Sequence, residues 1–205
     1  MIDVQPARRL PRSFFRRDAV TVACALLGQR LVSRVDGRRA AGVIVETEAY
    51  LGTIDKAAHT YDQRRTSRNE TMWGEAGHCY VYFVYGMHHC ANVVAGGPGD
   101  PVAVLIRALE PVDGLDVMFE RRAAARRPGD LCSGPAKLCQ ALGITVALDG
   151  ADLVCDRRIG IEQARRRALP GARIGRGPRI GIDYAGEWRD EPLRFWVRDN
   201  PHVSR

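Results

Sequence analysis

The chain has 205 residues, 45% hydrophobic and 27% charged, the balance of a folded globular protein and not of a fibrous or low-complexity one. Its net charge of +7 rests on arginine, because Lys56 and Lys137 are the only lysines, and guanidinium forks suit phosphate and other polyanions. Six cysteines without a CxxC pair point to reduced thiols instead of a disulfide framework, and no stretch approaches the roughly 18 apolar residues of a spanning helix.

In chain order, Ser13 is placed to cap a helix over Phe14 to Leu27, ended by Gly28. Gln29 to Val35 reads as a strand, Asp36-Gly37 as a tight turn, and Arg39 to Tyr50 as a long partner strand. Residues 51–78 are polar and without period, and a loop of that length inside a compact domain is usually functional. Cys79 to Tyr85 and Ala91 to Ala95 read as strands joined through Gly86-Met87-His88-His89, and Pro101 to Leu109 as another. Helices are expected over Leu115 to Ala125 and Pro135 to Leu142, with short strands returning at Arg179 to Asp183 and Leu193 to Val197. Strand runs flanked by separate helices give an α+β (mixed α/β) fold. No repeat or linker divides it, so 1–205 is read as a single domain, with 1–11 as a flexible N-terminal segment. The basic start, Met1 to Arg17, lacks the apolar core of a signal peptide, which favours a cytoplasmic protein.

Three constellations could carry chemistry. In Val45-Glu46-Thr47-Glu48-Ala49-Tyr50, strand alternation sets Ile44, Glu46, Glu48 and Tyr50 on one face, where two acids and a phenol make either a hydrolytic site or simply a wet face. The long loop supplies Asp55, His59, Arg64, Arg65, Thr66, Arg68 and Asn69, a set of donors matched to a phosphate backbone, although such a loop is more often merely solvated. The run Tyr80-Val81-Tyr82-Phe83-Val84-Tyr85-Gly86 is an aromatic stripe of the kind that usually forms core. Its end at Tyr85-Gly86, however, sets a stiff aromatic where the chain turns, suited to wedging between base pairs. Tyr50 and Tyr82 are flat walls for an unstacked base. His78-Cys79 and His88-His89-Cys90 lack the spacing of a zinc site, and no metal is expected there.

Together these segments resemble the alkyladenine (3-methyladenine) DNA glycosylase family. The resemblance rests on LLGQRLV (Leu26 to Val32), VETEAYLG (Val45 to Gly52), AAH (Ala57 to His59), TSRNETMW (Thr66 to Trp73) and YVYFVYGMHHCANVV (Tyr80 to Val94). LIRALEP (Leu105 to Pro111), LCSGPAKLCQALGI (Leu131 to Ile144) and AGEWRDEPLRFWV (Ala185 to Val197) follow in order. The resemblance implies one domain around a curved antiparallel β-sheet with a DNA-inserting β-hairpin. It implies an enzyme without metal or cofactor that excises alkylated or deaminated purines, such as 3-methyladenine or hypoxanthine, from double-stranded DNA. The two lysines lie outside the pocket motifs, so a monofunctional enzyme that leaves an abasic site is expected, and repair of one lesion needs only a monomer. Glu48 would orient the attacking water, with Arg107 beside it. Tyr50, His59 and Tyr82 would hold the flipped base, Asn92 would form the pocket floor, and Tyr85 would fill the gap in the duplex. Arg64, Thr66 and Arg68 are assigned to the DNA backbone from the loop's own donors. The chain departs from the family pattern at His88-His89, where aromatic residues are common, at the longer loop Gly96 to Asp100, and at Trp73.

The chemistry agrees: an alkylated purine is already a cationic leaving group, so a carboxylate that steadies the sugar and activates water suffices. Two other readings stand beside it. A glycoside hydrolase would use Glu46 and Glu48, roughly 7 Å apart as strand neighbours. A non-catalytic nucleic-acid-binding module would use the tyrosines alone.

Overall fold

The computed structural model describes residues 8–204. Among them, eight strands are formed: β1 (Arg30–Ser33), β2 (Ala40–Tyr50), β3 (Cys79–Val84), β4 (His88–Val94), β5 (Ala103–Asp113), β6 (Ile159–Glu162), β7 (Ile174–Gly177) and β8 (Arg194–Val197). They make one open antiparallel sheet in the order β3-β4-β5-β2-β1-β6. β8 pairs β2 beyond the end of β1 and carries β7 at its outer edge. Helices α1 (Arg12–Phe15), α2 (Ala19–Leu26), α3 (Leu115–Arg121), α4 (Pro128–Leu131) and α5 (Pro135–Leu142) complete the mixed architecture. None of the described helices is long and apolar enough to cross a membrane.

The core forms where α2 and α5 cover one face of the sheet. Val22, Ala23 and Leu26 of α2 and Leu138, Cys139 and Leu142 of α5 join Leu31, Ile44, Val104, Ile106 and Leu109 in one buried cluster. Polar groups buried there are paired, as they must be in a dry interior. Thr47 donates to the Ala23 carbonyl (3.1 Å) and Ser33 to that of Leu142 (2.6 Å). Helix α5 has the boundaries its sequence predicts because its stop and start are both encoded. Pro135 opens its first turn, and Gly143, at φ 69°, closes it in the left-handed conformation.

The first helix differs from expectation. The chain bends at Arg16-Arg17, where Arg17 donates to the Phe14 carbonyl (2.7 Å), and Asp18, not Ser13, caps α2 by accepting the Thr21 N–H (2.8 Å). The expected strand at Arg179 to Asp183 is absent. Residues 178–182 run as irregular chain into a 3-10 segment, Asp183–Arg189, while β6 and β7 form where no strand was foreseen. Of the N-terminal segment 1–11, residues 1–7 lie outside the described residues; Arg9 bridges Glu162 and Leu10 is buried.

Strands β2 and β5 hold the feature that positions the site. Ile44 faces Leu109, Glu46 faces Ala108, and Thr47 faces Ile106, so Val45 and Arg107 are each an extra residue in the ladder. Strict alternation therefore fails on both strands. Ile44 lies in the core cluster with Ala49, and Leu109 with Ile106, so Ile44 does not share the face of Glu46, Glu48 and Tyr50 as alternation predicted.

Candidate active site

The face of the sheet turned away from the core carries a cavity of about 680 Å³. Tyr50, Tyr82, His59, Asn92 and Arg107 all line it, so five of the residues singled out in the sequence converge on one space. Its rim is built by Tyr85 and Gly86 of the β3–β4 turn and by Tyr184 of the C-terminal segment.

Glu48 lies immediately below this floor, with 0% exposure. Its Oε1 accepts the Ile180 N–H (2.8 Å) and pairs with Arg107 Nη1 (3.2 Å), and its Oε2 accepts the Tyr50 hydroxyl (3.0 Å). All three partners line the cavity. Burial pushes the Glu48 carboxyl above its ordinary range, and the Arg107 charge, the Ile180 N–H and the Tyr50 hydroxyl pull it back only in part. Burial, and the Glu48 charge after it, drives the Tyr50 phenol well up, so it stays protonated and donates.

Glu46 is withdrawn from the cavity. Its oxygens accept Arg194 Nη1 (3.0 Å) and the Ser204 N–H (2.8 Å), and Oε1 also forms an ion pair with Arg107 Nε (3.4 Å). Arg107 thus bridges two buried carboxylates, an arrangement the paired bulges make possible. A two-carboxylate hydrolase needs both acids on the substrate, and here only Glu48 stands under the cavity.

His59 enters from the long loop. Its Nδ1 meets the Tyr80 hydroxyl at 2.8 Å, and its ring stands edge-on to Tyr82 at 4.5 Å between centroids. Burial, with Arg68 and Arg64 nearby, lowers its pKa, so the imidazole is neutral at pH 7. Asn92, buried on β4, donates from Nδ2 to the Tyr80 carbonyl (3.1 Å). Beside His59 lies a smaller cleft of about 100 Å³ lined by Arg64, Thr66 and Arg68. Asn69 shapes it by donating to the carbonyls of His59 and Arg64 (both 2.9 Å) and accepting the Thr66 N–H (2.7 Å). Arg68 donates to the Phe83 carbonyl, tying this loop to the hairpin.

Tyr85 stands apart, at the tip of the β3–β4 turn and 89% exposed. It has φ 52°, followed by Gly86 at φ 68°, and the Met87 N–H closes the turn on the Val84 carbonyl (3.2 Å). Paired positive φ values give the hairpin the primed kind of turn. Glycine takes that conformation freely, whereas a tyrosine there costs about 1–2 kcal/mol.

Sequence reasoning missed the C-terminal segment 178–184, which closes the site through the Ile180 N–H, the buried Arg179 and Tyr184. Arg179 sits in the apolar run Arg179-Ile180-Gly181-Ile182, where a charge must be paired if buried. That is the one signal the sequence offered. Lys56 pairs with Glu187 (2.8 Å) and Lys137 with the Ser133 hydroxyl (3.2 Å), and neither lines the cavity.

An open antiparallel sheet thus carries an aromatic cavity over a buried, hydrogen-bonded carboxylate. The family model for methylpurine-DNA glycosylase matches residues 13–201. A protein of Bacillus cereus (strain G9842), whose name is that of a 3-methyladenine DNA glycosylase, is 47% identical over 201 residues, covering 95% of this chain and 98% of its own. One of Myxococcus xanthus (strain DK1622) with the same name is 47% identical over 196 residues, covering 96% of this chain and 93% of its own. The chain belongs to the methylpurine-DNA glycosylase family, hydrolases that act on N-glycosyl bonds.

Proposed function

We propose that the protein is a monofunctional glycosylase of base excision repair, which takes a damaged purine out of duplex DNA into the cavity and hydrolyses its N-glycosidic bond. The observation that carries this reading is the Glu48 carboxylate, held by Arg107, the Ile180 N–H and the Tyr50 hydroxyl beneath an aromatic cavity. Oε1 accepts the Ile180 N–H and faces the Arg107 guanidinium as an ion pair, and Oε2 accepts the Tyr50 hydroxyl, so Oε2 keeps a lone pair for a water. Glu48 orients that water toward the anomeric carbon and its charge steadies the cationic sugar, while the raised carboxyl pKa brings the base nearer to working pH.

Tyr82 and Tyr50 stack on the base and His59 packs against its edge. With Nδ1 engaged by Tyr80, Nε2 is the nitrogen available for hydrogen bonding to the base. Asn92 on the floor disfavours the exocyclic amine of normal guanine. Tyr85 enters the duplex and fills the gap left by the base, which accounts for a strained aromatic left almost wholly exposed. Arg64, Thr66 and Arg68 contact the backbone. Neither lysine lines the cavity, so among the described residues no side-chain amine stands ready for a Schiff base, and the product is an abasic site.

The test is incubation with labelled duplexes carrying hypoxanthine, ethenoadenine or methylated purines, followed by alkali, with Glu48→Gln alongside. Strand breaks from the wild type alone are expected. Equal cleavage by the variant would remove Glu48 from the chemistry, and binding without any cleavage would favour a binding module that keeps the fold.

A further inference from the structure

Arg179 and Asp55 form a fully buried ion pair next to the site, made bidentate by Nη1–Oδ2 at 2.5 Å and Nη2–Oδ1 at 2.8 Å. Each partner also organises backbone. Arg179 Nη1 donates to the Ala49 carbonyl (3.0 Å), and Asp55 accepts the N–H groups of Leu51 and Ala57 (both 3.0 Å). The guanidinium carbon lies 4.7 Å from the Tyr50 ring centroid, and the residue following Arg179 supplies the Ile180 N–H that binds Glu48. One pair therefore fastens the loop that carries His59, the strand that carries Glu48 and Tyr50, and the segment that carries Ile180.

Such a pair is an expensive staple. Two charges must leave water, Arg179 Nε is buried without a hydrogen-bond partner among the described residues, and apolar residues of like volume often stabilise more. Its placement explains the expense. We propose that Arg179, clamped by Asp55, is a positioning residue for the Glu48 carboxylate: it fixes the Ile180 N–H and the Tyr50 hydroxyl on that group and supplies a second buried cation that keeps it ionised.

The proposal rests on the reading of Glu48 as the base. The groups facing Glu48 are Arg107 from β5, Tyr50 from its own strand, and Ile180 N–H and Arg179 from the C-terminal segment. Tyr82, Cys90 and Tyr184 bring neutral hydroxyl and thiol groups within range. Asp55 and Glu46 stand behind the two arginines. Arg179 thus adds to Arg107 in opposing the burial that raises the carboxyl.

Two readouts separate positioning from mere stapling: the Glu48 titration midpoint, followed by carbon-13 NMR and assigned through Glu48→Gln, and single-turnover excision from methylated duplex DNA across pH. Arg179→Met is expected to move the midpoint and the acid limb of excision upward together, by about one pH unit. Asp55→Asn keeps the cation and loses the clamp. Excision should fall about tenfold or more, with duplex affinity within about twofold and a midpoint that does not rise. Arg179→Lys should behave like Asp55→Asn, since an ammonium keeps the charge without the fork. A folded Arg179→Met protein with the wild-type midpoint overturns the proposal, leaving a staple. Should that variant not fold, Asp55→Asn decides alone, and undiminished excision overturns the proposal. A wild type that excises nothing while the midpoint still moves as stated would sink the glycosylase reading and leave the positioning role standing.

Discussion

The cavity floor and the hairpin tip are built from the same sheet and obey opposite rules. On the floor, Glu48 has 0% exposure and three partners, Glu46 has three of its own, and Arg107 bridges the two acids. At the tip, Tyr85 is 89% exposed, Met87 is exposed beside it, and the backbone is held in a conformation tyrosine disfavours. The floor's carboxylates are fully paired in the free protein, whereas the tip leaves a strained tyrosine almost wholly exposed. A site that must place a carboxylate to within a fraction of an ångström needs the first kind of construction. A contact made only with a partner present permits the second.

The sharpest test of the floor is Glu48→Gln. Excision should drop by about 10²–10⁴-fold with duplex affinity unchanged, measured by single-turnover kinetics and fluorescence anisotropy. In the wild type, excision should fail on the acid side as pH drops through the raised Glu48 pKa, above the usual carboxylate range. Stability runs the other way. A carboxyl whose folded pKa is raised contributes stability that is fully present below its unfolded pKa and is lost as pH rises through the folded one. Glu48→Gln should therefore melt above the wild type at neutral pH, with the gap closing in acid. A lower melting temperature at pH 7 would mean that the carboxylate is there for structure.

Glu46→Gln probes the same floor without touching the cavity. It leaves Arg107 and Arg194 short of a buried counter-charge, and the expected loss is about 3 kcal/mol in urea unfolding. Tyr85→Gly is its counterpart at the tip. Relief of the strained φ nearly offsets the flexibility gained by the unfolded chain, so stability should change by less than about 1 kcal/mol. Excision should fall about tenfold, as an unfilled gap makes extrusion of the base less favourable. Equal stability losses at the two positions would erase the distinction between finished and unfinished regions.

The two regions were also unequally legible. Tyr85-Gly86 follows from local rules, since a glycine after an aromatic stripe marks a turn and sets the tyrosine at its tip. Helix α5 was readable for a similar reason, with Pro135 and Gly143 as its punctuation. The floor is a long-range product. That Glu46 and Glu48 share a face was readable from alternation, but the extra residues Val45 and Arg107 exist only in the pairing of β2 with β5, and no period in either strand announces them. The ion pair of Asp55 with Arg179 joins residues far apart in sequence, one in an aperiodic loop and the other in a run mistaken for a strand. Ser13 lies inside α1 and caps nothing, because the chain bends at Arg16-Arg17 and Asp18 caps the separate helix that follows.

The smallest expected effect lies between the two regions, in the cleft beside His59. Arg64 is exposed and makes no ion pair among the described residues, whereas Arg68 donates to the Phe83 carbonyl and so holds the hairpin. If both reach phosphates, each alanine variant should weaken duplex binding for every sequence alike and reduce the slope of log K against log salt by about 0.9. Arg64→Ala should do nothing more, leaving the excision rate of bound substrate as it was. Arg68→Ala removes the tether as well, so its excision rate should fall in the direction of Tyr85→Gly. Matching slopes with unequal rates would mean that the tip, though unpacked, depends on the loop for its aim. Matching rates would make the hairpin self-supporting, its turn held by the positive-φ pair and the Met87 N–H alone.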